Sequence, residues 1–196
     1  MVDIYVTSDN HFRHGNIYKF IGYDGQRVRK EFESCAEGDL AMIELWNQTV
    51  KPEDHVWNLG DFMMGSNGWA REECISIAKR LNGHKRLILG NHDCLDVRTY
   101  RDAGFQKVVG AKEIQVAGLR LLCTHYPAHE SSLFKRDGSV HGHIHEKPDL
   151  PSVVGSDEKL KSWMNMSVER TGYKPVHIEE IVKRIKEKKL VQESLG

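Results

Sequence analysis

Val2, Ile4 and Val6 alternate with less apolar neighbours and then give way to Thr7-Ser8-Asp9-Asn10-His11, the pattern of a strand that runs into a polar loop. The shape recurs along the chain. His55-Val56-Trp57-Asn58-Leu59 leads to Gly60-Asp61, and Arg86-Leu87-Ile88-Leu89 leads to Gly90-Asn91-His92-Asp93. Leu119-Arg120-Leu121-Leu122-Cys123 leads to Thr124-His125, and Gly138-Ser139-Val140 leads to His141-Gly142-His143-Ile144-His145. Between these runs, Leu40, Ile43, Trp46 and Val50 recur at helical spacing, as do Cys74, Ala78 and Leu81 before an Asn82-Gly83 stop. A strand over Trp163 to Val168 and a closing amphipathic helix marked by Ile178, Ile181, Val182 and Ile185 complete the pattern. Strands alternating with helices predict an α/β fold.

Length adds that 196 residues fit a single domain, residues 1–196, with no internal repeat and no linker rich in Pro, Gly or Ser. Twenty-eight basic residues balance twenty-eight acidic ones, so the chain lacks the overall positive field that drives stable nucleic-acid binding. The basic run Lys183 to Lys189 reads as the solvated end of the last helix. Cys35, Cys74, Cys94 and Cys123 form no Cys-x-x-Cys pair and are expected as reduced thiols, which points to the cytoplasm. No run of about 18 apolar residues predicts a membrane span.

Eleven histidines change the picture because of where they fall. Asp9, His11, Asp61, Asn91, His125, His143 and His145 all follow apolar runs, and together they offer two carboxylates, an amide carbonyl and four imidazoles. Singly, each has a plainer reading: a helix cap or turn for Asp9 and Asp61, a left-handed turn for Asn91, a satisfied buried ring for His125. As an ordered set they suit two divalent transition metals, manganese first, with iron, zinc, nickel and cobalt as alternatives.

Asp9-Asn10-His11, Gly60-Asp61, Gly90-Asn91-His92-Asp93, His125 and Gly142-His143-Ile144-His145 resemble the five signature blocks of the calcineurin-like metallophosphoesterase superfamily. The opening Ser8 to Ile17 further resembles its small bacterial and phage branch. The resemblance implies two stacked mixed β-sheets flanked by helices, with a dinuclear centre at the strand ends. It implies that Asp9, His11, Asp61 and His145 hold one ion, that Asp61, Asn91, His125 and His143 hold the other, and that Asp61 bridges them. A hydroxide shared by such a pair would attack a phosphoryl group in line. His92 would contact phosphate oxygens and protonate the leaving group, with Asp93 holding its ring. Arg13, His14 and Asn16, just past the first block, are candidate substrate contacts. The irregular segments 22–29 and 127–138 are candidate substrate-facing loops.

Gly60-Asp61-Phe62-Met63-Met64-Gly65 lacks the arginine that follows the second block in protein phosphatases, which argues against that activity. The expected substrate is a small phosphodiester, including cyclic nucleotides. A phosphomonoesterase, a nuclease and a non-catalytic scaffold such as the retromer subunit are the alternatives; His92 weighs against the last.

Overall fold

The computed structural model describes residues 2–155 and 159–193. In chain order the elements are β1 (Ile4–Thr7), α1 (Cys35–Thr49), β2 (His55–Asn58), α2 (Gly68–Arg80), β3 (His84–Ile88), α3 (Val97–Asp102), β4 (Lys107–Val109), β5 (Lys112–Val116) and β6 (Leu119–Cys123). They continue with β7 (Gly138–His141), β8 (Val153–Val154), β9 (Leu160–Asn165), α4 (Val168–Thr171), β10 (Val176–His177) and α5 (Ile178–Glu193). Two mixed five-stranded sheets result, in the orders β10-β1-β2-β3-β4 and β5-β6-β7-β9-β8. β1 to β4 pair in parallel, with β10 antiparallel at the edge; in the second sheet β6, β7 and β9 are parallel and β5 and β8 antiparallel.

Successive side chains of a strand point to opposite faces, and that rule divides the core in two. Tyr5, Val56 and Leu87 turn to the helices, meeting Met42, Ile43, Trp46, Ile77 and Ala78 of α1 and α2. Their neighbours Val6, Trp57 and Ile88 turn inward to Leu121, Cys123, Val140 and Met164 of the second sheet and to Ile181 and Ile185 of α5. With both faces covered, the central strands are buried on both sides, which is why they read as apolar runs.

α1 is capped by Ser34, whose side chain accepts from the Glu37 amide, α2 by Asn67 and α3 by Asp96. Leu40 departs from the expected stripe and is exposed. The buried face of α1 carries Asp39 instead, because its carboxylate accepts the Arg13 amide at 3.1 Å. The strand expected over Trp163 to Val168 begins earlier, at Leu160, and ends at Asn165; Val168 starts α4 because its amide bonds Ser8 O at 3.1 Å. In the basic run, Lys183 and Arg184 pair with Glu187 and Glu180 on the outer face of α5, while Lys188 reaches Asp149 at 2.8 Å; the Lys189 side chain lies outside the described residues. All four cysteines are unpaired, and no helix among the described residues is long and apolar enough to cross a membrane.

Candidate metal centre

β1, β2, β3, β6 and β7 all end on the same side, and each releases the chain directly into a tight turn. The turns are laced together: the Asp9 amide bonds Gly60 O, the His11 amide bonds Asp61 O, and the Gly142 amide bonds His125 O, each at 2.9 Å. Asp9, His11, Asp61, His143 and His145 all have positive φ, between 49° and 71°. For non-glycine residues this costs on the order of 1–3 kcal/mol each and persists only where the surroundings enforce it, and such strain clusters at functional sites. Two glycines make the close approach feasible. A Cβ on Gly90 would strike the Asp61 carboxylate, and one on Gly142 would strike Ser8 and the Asp9 carboxylate.

Asp9, His11 and His145 bring one ligand atom each within 4.8 Å of one another, and so do Asp9, Asp61 and His125. Asp61 Oδ2 stands between the two histidines, 3.4 Å from His11 Nε2 and 3.3 Å from His125 Nε2. His125 Nδ1 faces the Leu59 carbonyl at 3.0 Å and so carries the proton in the neutral ring. Its Nε2 lone pair then faces two further oxygen acceptors, Asp61 Oδ2 and Asn91 Oδ1, the latter at 3.0 Å. His11 Nε2 is buried without a hydrogen-bond partner. Converging lone pairs and an orphaned buried nitrogen are what a cation relieves, so the donor set fits a borderline divalent metal. His143 contributes its amide to both Asp9 oxygens at 2.9 and 3.1 Å, and its half-buried ring lies 5.1 Å from that of His125. Asn91 is exposed.

The charges follow from burial and proximity. Burial and the surrounding cationic groups push the His11 imidazole well below its ordinary value, leaving it neutral. Burial would raise the Asp61 carboxyl, but when His125 is charged its second proton, on Nε2, bonds Oδ2, and with the His92 amide it outweighs burial and holds Asp61 below its ordinary value; that proton occupies the place a cation would take from the neutral ring. Burial alone would lower His145, yet the Glu169 carboxylate beside it lifts the ring to about 9.

The calcineurin-like phosphoesterase profile matches residues 2–177. The chain belongs to the calcineurin-like phosphoesterase family. It is 30% identical over 192 residues to an uncharacterized protein of Methanocaldococcus jannaschii, covering 98% of this chain and 96% of that one. It is 37% identical over 105 residues to the gene 66 protein of Mycobacterium phage D29, covering 53% of this chain and 46% of the phage protein. Among solved structures it resembles a protein of unknown function from Aquifex aeolicus, with a TM-score of 0.66, 27% identity, and coverage of 93% of this chain and 99% of that one.

Within this family member, His92 is half-buried, its ring edge-on to His11 at 5.1 Å and its amide bonded to Asp61 Oδ1 at 2.8 Å. Asp93 corrects an expectation. Its carboxylate accepts from the backbone amides of Asp61 and Gly90 at 2.8 Å and of Phe62 at 3.0 Å, and those bonds take the oxygens that were expected to hold the His92 ring. Burial pushes Asp93 up to about 6. Arg13 also departs from the free fork expected for substrate, since its Nε bonds Glu73 at 2.7 Å and its Nη1 lies 3.7 Å from Asp39. His14 is buried behind His11, their Nδ1 atoms 3.2 Å apart, and Asn16 is exposed in a 3-10 turn.

Segment 22–29 divides. Tyr23 to Gln26 is exposed, and the Tyr23 amide reaches Glu146 at 3.3 Å, but Arg29 at its end is fully buried and cannot face substrate. Segment 127–138 likewise carries exposed residues around the wholly buried Leu133. Arg29, Glu169, Ser167 and the Asn10–Asn58 pair were not apparent from sequence. Asn58 donates to Asn10 at 2.6 Å and accepts from the Gly60 amide at 2.9 Å; Ser167 donates to Asp9 at 3.0 Å. Of these only Asn58, a polar residue inside an apolar run, gave a local signal.

Proposed function

We propose that this phosphoesterase is a dinuclear metal-dependent hydrolase of small, nucleotide-like phosphodiesters. The observation that carries the reading is Asp61 Oδ2 lying within 3.4 Å of both His11 Nε2 and His125 Nε2, the position of a carboxylate shared between two cations. Asp9, His11, Asp61 and His145 would hold one ion, and Asp61, Asn91, His125 and His143 the other, with manganese favoured over iron, zinc, nickel or cobalt. When bound, such a pair acidifies water and neutralises phosphoryl oxygens. The chain's own work is positional. Asp93 fixes the turns that carry Asp61 and Gly90, and His92 at the rim donates to the phosphoryl or leaving oxygen. Because Arg13 already has carboxylate partners, it acts by holding the first turn to α1 and α2, and substrate recognition falls to His92, with Asn16 at the edge; His14, buried behind His11, steadies that ring. The neutral overall charge supports a small substrate over a polymeric nucleic acid. Four unpaired cysteines support a reducing compartment, the cytoplasm.

The test is a screen of manganese-reconstituted protein with p-nitrophenyl phosphate, bis-p-nitrophenyl phosphate and 2′,3′-cyclic nucleotides, repeated on Asp61→Asn. Diester hydrolysis by wild type that is absent from the variant is the expected outcome. Equal rates from both proteins would overturn the reading, and a preference for the monoester would reverse the substrate class.

A further inference from the structure

Arg29 and Glu169 lie 140 residues apart in sequence, and both are buried, with side chains 0% and 2% exposed. Arg29 Nε bonds Glu169 Oε1 at 2.9 Å, while its two Nη atoms donate to Asp9 O at 2.7 Å and Asn10 O at 2.9 Å. Glu169 Oε1 also faces His145 Nδ1 at 3.4 Å. One buried ion pair therefore reaches the backbone under Asp9, which faces both groups, and the ring of His145, which belongs to the group with His11 alone. On the His125 side the support is weaker in kind: His125 leans on the neutral Leu59 carbonyl, the His143 ring meets only the edges of His125 and Tyr126 among its described ring contacts, and Asn91 is exposed. A carboxylate on Nδ1 fixes the tautomer, points Nε2 at the metal and makes the ring a stronger ligand than a neutral carbonyl does.

We infer that Glu169, held by Arg29, is a positioning residue for His145, and that it makes the ion on the Asp9–His11–His145 side the more tightly held of the two. This rests on the dinuclear reading and adds an order of occupancy to it. The open half then fills second and exchanges first, and a substrate oxygen entering the site meets the more weakly held ion.

The experiment is calorimetric titration of chelator-stripped protein with manganese alone, with circular dichroism as the check on folding. Wild type should take up two ions in two separated steps. Glu169→Gln should weaken the tight step about 10–100-fold and leave the weak step in place, whereas His143→Ala should remove the weak step only. Glu169→Gln leaves the Arg29 cation without its buried partner, so Arg29→Met/Glu169→Gln, which removes the charge with its counter-charge, is measured beside it and should show the same selective loss. A merely structural role would weaken both steps together. Equal weakening of both steps, no weakening in a folded variant, or two indistinguishable steps in wild type would each overturn the inference while leaving the dinuclear reading intact. Absence of any uptake by wild type would overturn that reading itself.

Discussion

The two halves of the site are built from the same residue types but anchored differently. Asp9 and His145 stand on a buried cation and a buried carboxylate, whereas His125 stands on a backbone carbonyl, the His143 ring on ring edges, and Asn91 in solvent. The difference teaches that the identity of a ligand and its strength are set separately. The first comes from the residue that follows a strand, the second from what packs behind it.

The largest effect is expected where the halves meet. Asp61→Asn should bring hydrolysis to assay background and abolish uptake of both ions, measured by elemental analysis; retention of either ion would mean that the halves do not share this carboxylate. His92→Ala should lower kcat by about 10²–10⁴-fold with both ions retained, because a proton donor is lost and no ligand is. Loss of metal in that variant would place His92 among the ligands.

Stability sharpens the same contrast. Arg29→Met leaves the buried Glu169 with His145 as its remaining partner and strips the donors from Asp9 O and Asn10 O, and should cost about 3–5 kcal/mol in urea unfolding of the metal-free chain. Asn91→Ala in the open half should change it by no more than about 0.5 kcal/mol. Comparable losses would erase the distinction.

The most graded effect concerns pH. The buried Asp93 carboxyl titrates at about 6 in the fold against an ordinary 3.8, so between those values the folded chain keeps a proton that the unfolded chain has released. Metal-free stability therefore falls as pH rises through that window, by up to about 3 kcal/mol, and Asp93→Asn should flatten the slope. Glu169 runs the opposite way. Burial opposes its charge, but the Arg29 cation wins and holds it down at about 2, so its contribution is present above its ordinary 4.5 and is lost as pH falls. Thermal melts from about pH 2 to 6 on Asp93→Asn and Glu169→Gln would separate the two signs, the first acting between 3.8 and about 6 and the second between about 2 and 4.5.

The strand-end candidate ligands were legible because each one follows its apolar run within a few residues, and a strand delivers whatever its next residues are. Leu40 misled because helical spacing alone does not say which side chain a partner demands; Asp39 took the buried face to meet Arg13. Asp93 misled differently. Its place beside His92 suggested a ring contact, but three backbone amides converged on it first.

The amino-acid order by itself determined the alternation of strand and helix, the donor set and the side of the sheets on which it gathers, since each of these depends on residues close in sequence. Only the tertiary structure decided that Arg29 is buried, that Glu169 stands behind His145 and that Arg13 is turned to Glu73. A charged side chain carries no local mark of its burial. That is settled by packing between segments up to 140 residues apart, where a buried cation persists only if a carboxylate and carbonyls meet it.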